Sequence, residues 1–205
     1  MARAKKTTEV PTELPIEKYH VKITLITPML GTVPKDPNVY TSYIASKAPE
    51  DVDTTDEDVP PPDEKGATGF HADENGLYLL DYQVKGMLKE GGNILKDILG
   101  ITALRSKLDN FLFVQPRKIY LGKKEPDGVI ERPLRAQTAQ GPRVSLARSD
   151  YVAEGTTFEF DIALLAGPVT IDVVRAILDY GALKGLGQFR NGGYGRFDYK
   201  ITYRT

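Results

Sequence analysis

Residues 181–197 read Gly-Ala-Leu-Lys-Gly-Leu-Gly-Gln-Phe-Arg-Asn-Gly-Gly-Tyr-Gly-Arg-Phe. Six glycines fall within fifteen residues, at Gly181, Gly185, Gly187, Gly192, Gly193 and Gly195. Lys184, Arg190 and Arg196 place positive charge among them, and Phe189, Tyr194 and Phe197 place rings. A chain this poor in side chains reaches positive φ and leaves backbone N–H groups bare. Such groups can cradle a phosphate chain while the three cations neutralise it. Phe189 and Tyr194 can stack bases, each stack contributing about 1–3 kcal/mol. The same residues also suit a plainer role, a turn that packs a helix end against a sheet.

The net charge of −1 hides a strong asymmetry. Eight carboxylates lie between Glu50 and Glu64, with Pro60, Pro61 and Pro62 among them. Large apolar residues are nearly absent there, so burial cannot offset the entropy of ordering the chain. That composition predicts an extended, mobile insertion over residues 46–68. It reads as a solvated surface loop, or else as a nucleic-acid mimic over a basic groove or a partner-docking arm. The base comes later. From Arg105 to Arg148, ten Lys and Arg stand against four acids, a local +6. From Lys184 to Arg204, five stand against Asp198 alone, a local +4. Together these stretches describe either a solvated surface or one face for a polyanion.

Several functions are excluded. Cysteine is absent, so there is no disulfide framework, thiol nucleophile or thiolate metal site. This suits a reducing cytoplasm, the expected location. The first residues lack the apolar core of a signal peptide, and no apolar run reaches membrane-spanning length. No membrane partner is expected. There is no P-loop, zinc spacing or Ser-His-Asp grouping. The two histidines are His20 and His71.

The elements that must position the glycine-rich stretch follow from periodicity. Tyr19, Val21, Ile23 and Leu25 alternate with polar residues and predict a first strand at 18–29, ended by Pro28. Val84, Leu88, Leu95 and Ile98 predict a helix over 82–98 with Asp81 as N-cap and a weak point at Gly91-Gly92. Strands are predicted at 111–121, 156–165 and 196–204, and a second helix from Thr170 to about 183. The order strand, helix, strand, strand, helix, strand is an α+β, ferredoxin-like pattern: an antiparallel sheet with two helices on one face. Residues 1–17 read as a flexible arm and 18–205 as a single domain. Residues 122–155, polar and rich in Arg, Gly and Pro, read as a projecting hairpin or loop.

Three segments then point to a family. Lys184-Gly-Leu-Gly-Gln-Phe-Arg-Asn-Gly-Gly-Tyr-Gly-Arg196, after a helix, resembles the glycine-rich loop of the RAMP superfamily, ferredoxin-like RNA-binding proteins of CRISPR systems. Tyr78-Leu-Leu-Asp-Tyr-Gln-Val-Lys-Gly-Met-Leu-Lys89 is similar to the Ser-Leu-Lys-Gly-x-Leu-Arg motif that opens helix 1 in backbone subunits of CRISPR effector complexes. Gly141-Pro-Arg-Val-Ser-Leu-Ala-Arg148 through Gly155-Thr-Thr-Phe158 is similar to the segment that closes their thumb. The matches are in family order across most of 18–205. The departures are Asp81 in place of the helix-opening Pro-Gly-Ser-Ser, Arg148-Ser-Asp in place of a Glu-Arg pair, and the acidic insertion. They fit a divergent, stand-alone or mobile-element member.

The resemblance implies a protein that binds single-stranded, guide-type RNA and lines up along it with copies of itself, with further effector-complex subunits as potential partners in antiviral defence. The residues it points to are Lys85, Lys89, Arg132, Arg135, Arg143, Arg148, Lys184, Gly185, Gly187, Phe189, Arg190, Gly192, Gly193, Tyr194, Gly195 and Arg196. Some such subunits cleave RNA with an aspartate in the loop after strand 1, the neighbourhood of Asp36. A loop carboxylate can help hold a divalent cation, whereas Lys-Asp-Pro-Asn also reads as a plain turn. The expected function is therefore an RNA-binding scaffold without a cofactor. The alternatives are a metal-dependent endoribonuclease using Mg²⁺, and a structural or protein-interaction module without RNA.

Overall fold

The computed structural model describes residues 14–35, 67–138 and 141–204. Asp36 and the acidic run from Glu50 to Glu64 lie outside them.

Strand β1 (Ile16–Leu25) turns Tyr19, Val21, Ile23 and Leu25 inward, as its alternation requires. Two short strands follow, β2 (Met29–Leu30) and β3 (Val33–Pro34). Further on come β4 (Ala67–Gly69), β5 (His71–Asp73) and β6 (Gly76–Leu80). Helices α1 (Asp81–Leu95) and α2 (Leu104–Phe111) lead to β7 (Leu112–Gln115) and β8 (Lys118–Tyr120). The strands β9 (Gly128–Thr138) and β10 (Gly141–Val152) form a long hairpin. Then come β11 (Thr157–Leu165), α3 (Ile171–Lys184) and β12 (Phe197–Arg204).

The main sheet has the order β12-β1-β11-β7, and every neighbour is antiparallel. With α1 between β1 and β7, and α3 between β11 and β12, the fold is ferredoxin-like α+β. Its core joins the inward residues of β1, β11 and β12 to Val84, Met87 and Leu88 of α1 and to Val174, Ile177 and Leu178 of α3. Full burial of each such aliphatic side chain contributes roughly 1.5–3 kcal/mol.

Several details differ from the sequence expectations. Ile16 and Glu17 belong to β1, paired with Leu165 and Leu164, rather than to the N-terminal arm. Ala67 and Thr68 belong to β4 rather than to the acidic insertion. Helix α1 begins one residue early and ends at Leu95. Leu80 is its N-cap, and the Gln83 side-chain oxygen accepts the Leu80 N–H at 2.8 Å. Gly91-Gly92 does not break it. A Cβ at Gly91 would lie 2.9 Å from Ile177, and one at Gly92 2.2 Å from Leu108, so the pair is where α1 meets α3 and α2. Residues 111–121 divide between two sheets, β7 in the main one and β8 beside β6. The β9–β10 hairpin is anchored at its base, where β10 pairs with β2 at Tyr151 and Val152 and with β4 at Arg148 and Ser149. That anchorage brings the hairpin beside the glycine-rich loop.

Candidate nucleic-acid interface

The loop after α3 is folded back on the start of the chain. Gln188 N–H donates to the Leu30 carbonyl at 3.1 Å and Gly195 N–H to the Pro28 carbonyl at 2.8 Å. Leu186 N–H donates to Gly195 O at 2.8 Å, closing the loop on itself. The Thr27 hydroxyl donates to Gly193 O and accepts Arg196 N–H, both at 2.9 Å. Gly185, Gly192 and Gly193 N–H groups donate to Gly181, Phe189 and Arg190 carbonyls. The expectation of bare N–H groups is therefore corrected for Gly185, Gly192, Gly193 and Gly195: their N–H groups hold the loop's own shape. Gly195 has a φ of 73°, and a Cβ there would lie 1.8 Å from Leu186 O. Gly193 has a φ of 85° but open space around its Cα. The loop is a built scaffold, and what it offers a ligand is side chains and shape.

The side chain at its centre is Arg132. It comes from β9, is only 8% exposed, and meets no carboxylate among the described residues. Its Nη2 donates to Ser149 Oγ at 2.8 Å and sits 3.5 Å from the Gln188 side-chain oxygen. Its Nε has no hydrogen-bond partner among the described residues. The guanidinium lies over the Phe189 ring, 4.5 Å from the centroid. Ser149 and Thr68 hydroxyls both donate to Gln188, at 3.0 and 2.8 Å. One polar network thus ties the hairpin, β4 and the loop together. Burial lowers the Arg132 pKa from its ordinary value, yet a guanidinium stays charged. Elsewhere at the hairpin base, Lys35 meets the buried carboxylate of Asp150 at 2.6 Å.

The other expected RNA contacts divide into engaged and open groups. Lys85 donates to the Asp109 carbonyl at 3.1 Å and to the Leu112 carbonyl, and burial holds its pKa below the usual lysine range. Lys89 pairs with Asp109 at 2.9 Å, Arg148 with Glu131 at 2.8 Å and Arg190 with Glu90 at 2.6 Å. Lys184 donates to the Asn191 side chain at 2.8 Å. Arg196 is exposed. Arg135 and Arg143 stand toward the hairpin's turn, opposite Val144 and Ala136. Phe189 is half-exposed with its ring near that of Tyr194, at 5.9 Å between centroids. A Cβ at Gly185 or Gly187 would meet the backbone of Tyr194 or Leu30, so both glycines are packing positions. Thr68, Ser149 and Gln188 belong to the site too, but as small polar residues they carry no charge or spacing signal in the sequence.

A groove of about 520 Å³ opens on the other flank of the loop, between it and α1. Gln83 Nε2 donates to Thr32 Oγ1 across one end, at 2.7 Å. His71 lines it, stacked on Tyr78 at 5.4 Å, and burial pushes its pKa down. The consequence for stability has a definite sign. A histidine whose folded pKa is depressed leaves the unfolded chain binding more protons, so stability falls as pH drops below about 6.5 and through the folded value. The lowered carboxylates Asp73, Asp109, Asp127 and Glu159 act at lower pH, below their ordinary values. His71→Phe, which keeps a ring against Tyr78, should flatten the pH dependence of urea midpoints between about pH 6.5 and 5. An unchanged slope would assign that window to another group.

The open face of the main sheet is charge-balanced. His20 lies between Asp161 and Glu159, at 2.8 and 3.4 Å, and Lys22 meets Glu159 at 2.9 Å. Among the described residues no three His, Asp or Glu gather to hold a metal ion. Asp36 lies outside those residues.

No protein-family model matches the chain, and no curated protein does. Among solved structures the chain is similar to one in the "Cryo-EM structure of the Type III-B Cmr-beta bound to cognate target RNA". The identity is 16% and the TM-score 0.48, over 92% of this chain and 60% of that chain.

Proposed function

We propose that this chain is an RNA-binding protein of the RAMP kind. In this reading it holds single-stranded RNA against the glycine-rich loop and the β9–β10 hairpin, and lines up with copies of itself as a ribonucleoprotein backbone subunit. The observation that carries the reading is Arg132. Bringing a guanidinium out of water without a carboxylate partner costs several kcal/mol. A stable fold retains such a group where an anion can repay it. Little water surrounds it to screen its field, so its charge acts on the space above the loop. Arg196 adds open charge on the same loop, and the motif resemblance described from the sequence points to the same ligand.

Filter retention of a labelled single-stranded RNA, measured across salt concentrations, tests it. Each neutralised phosphate contributes about −0.7 to the log–log slope, so a contact with four or five phosphates should give a slope near −3. Light scattering should show particle mass rising with RNA length as copies add along the strand. An affinity independent of salt, or retention no better than for a neutral polymer, would refute RNA binding. Constant mass on longer RNA would refute the self-association.

A further inference from the structure

The main sheet ends on two edge strands of unequal kind. β7 is four residues long, is followed by Pro116, and carries Phe113 under the Lys85 ammonium. β12 runs for eight residues, all paired with β1 on one side and with no strand among the described residues on the other. Its outer row of backbone N–H and C=O groups is a template for another strand. Apolar surface stands beside that row: Tyr199 and Ile201 are half-buried, and Tyr203 is 62% exposed.

We propose that β12 is the interface of a two-fold dimer, pairing antiparallel with β12 of a second copy in a register centred on Ile201. This goes beyond the RNA-binding reading and does not rest on it, since the contact uses neither the glycine-rich loop nor the β9–β10 hairpin. The strand's own side chains select the partner. Phe197, Tyr199 and Ile201 pack toward the core and α3, while Arg204 reaches Asp161 across the open face. Two sheets that join with their helices on the same side pair only residues of like face. Centred on Ile201, the register sets Asp198 opposite Arg204 at both ends, Tyr199 opposite Tyr203, Lys200 opposite Thr202, and Ile201 on itself. Opposite charges and aromatic rings facing across a strand pair stabilise it. The equally long register centred on Lys200 sets that lysine against itself, and one centred on Thr202 sets Lys200 against Arg204. Like charges directly opposite are destabilising, so the sequence favours one register and disfavours its neighbours. Arg204 already donates to Asp161, and a guanidinium has five donors, so a second carboxylate can share it. The contact is the same patch on both copies and closes at two.

The test uses the full chain, freed of RNA by nuclease, in sedimentation velocity up to about 100 µM. Wild type should show a monomer–dimer equilibrium. Asp198→Lys and Arg204→Glu each set like charges opposite one another, and each alone should weaken the dimer at least about 10-fold. Mixed in equal amounts they should dimerise with each other, because both end pairs then become opposite charges. The chain has no cysteine, so a single introduced thiol reports the register without background. Ile201→Cys should oxidise to a disulfide-linked dimer. Thr202→Cys should not, since two copies of residue 202 lie further apart than the roughly 7 Å that a disulfide spans. Wild type that stays monomeric, a dimer that forms only on RNA, or equal cross-linking through both thiols would overturn the proposal. So would folded charge variants, checked by circular dichroism, that stay monomeric when mixed. If Arg204→Glu unfolds through loss of its Asp161 contact, the two thiol variants decide the matter.

Discussion

Gly195→Val should unfold the protein or leave it barely stable. The Cβ would sit 1.8 Å from the Leu186 carbonyl oxygen and 2.8 Å from its carbon, both backbone atoms. Neither can swing away as a side-chain tip can. The same carbonyl neighbourhood is held by the Leu186 N–H to Gly195 O bond, so moving one strand of the loop breaks its closure. Overpacking of this kind costs about 1–3 kcal/mol, and a branched residue at φ of 73° adds about 1–3 kcal/mol. The sum is a large part of a domain's typical 5–15 kcal/mol. Gly193→Ala is the matched control, with positive φ but open space, and should cost about 1–2 kcal/mol from backbone strain alone. Urea midpoints for the two variants check the ordering. A Gly195→Val midpoint equal to that of Gly193→Ala would mean the loop yields freely and is not the scaffold its hydrogen bonds describe.

That contrast also shows what a sequence reveals about a glycine-rich loop and what it hides. Composition identifies the loop, since six glycines in fifteen residues leave few alternatives. It does not say which glycine meets backbone and which meets solvent. Gly195 is fixed by Leu186, and Gly187 by Leu30, a residue more than a hundred positions away. The same limit explains the cations. Charge runs are legible, but pairing is not: Arg190 is neutralised by Glu90 from another element. Lys85 is spent on the carbonyls at the end of α2.

The main sheet was legible because β1, β11 and β12 are eight to ten residues long and alternate cleanly. The short strands β2 to β5 span only two or three residues, too few for a period, and β2, β3 and β4 find partners through distant pairing. Helix α2 buries only Leu104 and Leu108, a single i,i+4 pair on an otherwise polar segment. Its position is set by Gly92 and Lys85 of α1, which no local pattern announces.

The second large effect belongs to Arg132, whose importance also came from its surroundings rather than its charge. Arg132→Met keeps a long unbranched chain against Phe189 and removes a buried cation that has no carboxylate partner among the described residues. Ser149, Thr68 and Gln188 still hydrogen-bond one another, so no new orphan is created among them. Stability should hold or rise, by up to about 2 kcal/mol, because desolvation of the ion outweighs its contacts with neutral oxygens. RNA affinity should move the other way, falling at least about 10-fold, or 1.4 kcal/mol. The salt slope should flatten by about 0.7, the share of one phosphate. Arg132→Lys should fall between, since an ammonium keeps the charge but neither stacks on the ring nor reaches two oxygens with a planar fork. Thermal melts and salt-dependent RNA retention on the same samples separate the possibilities. If Arg132→Met melts many degrees lower and binds RNA as tightly as wild type, the guanidinium is a strut between hairpin and loop, and its burial without a counter-ion serves the fold alone.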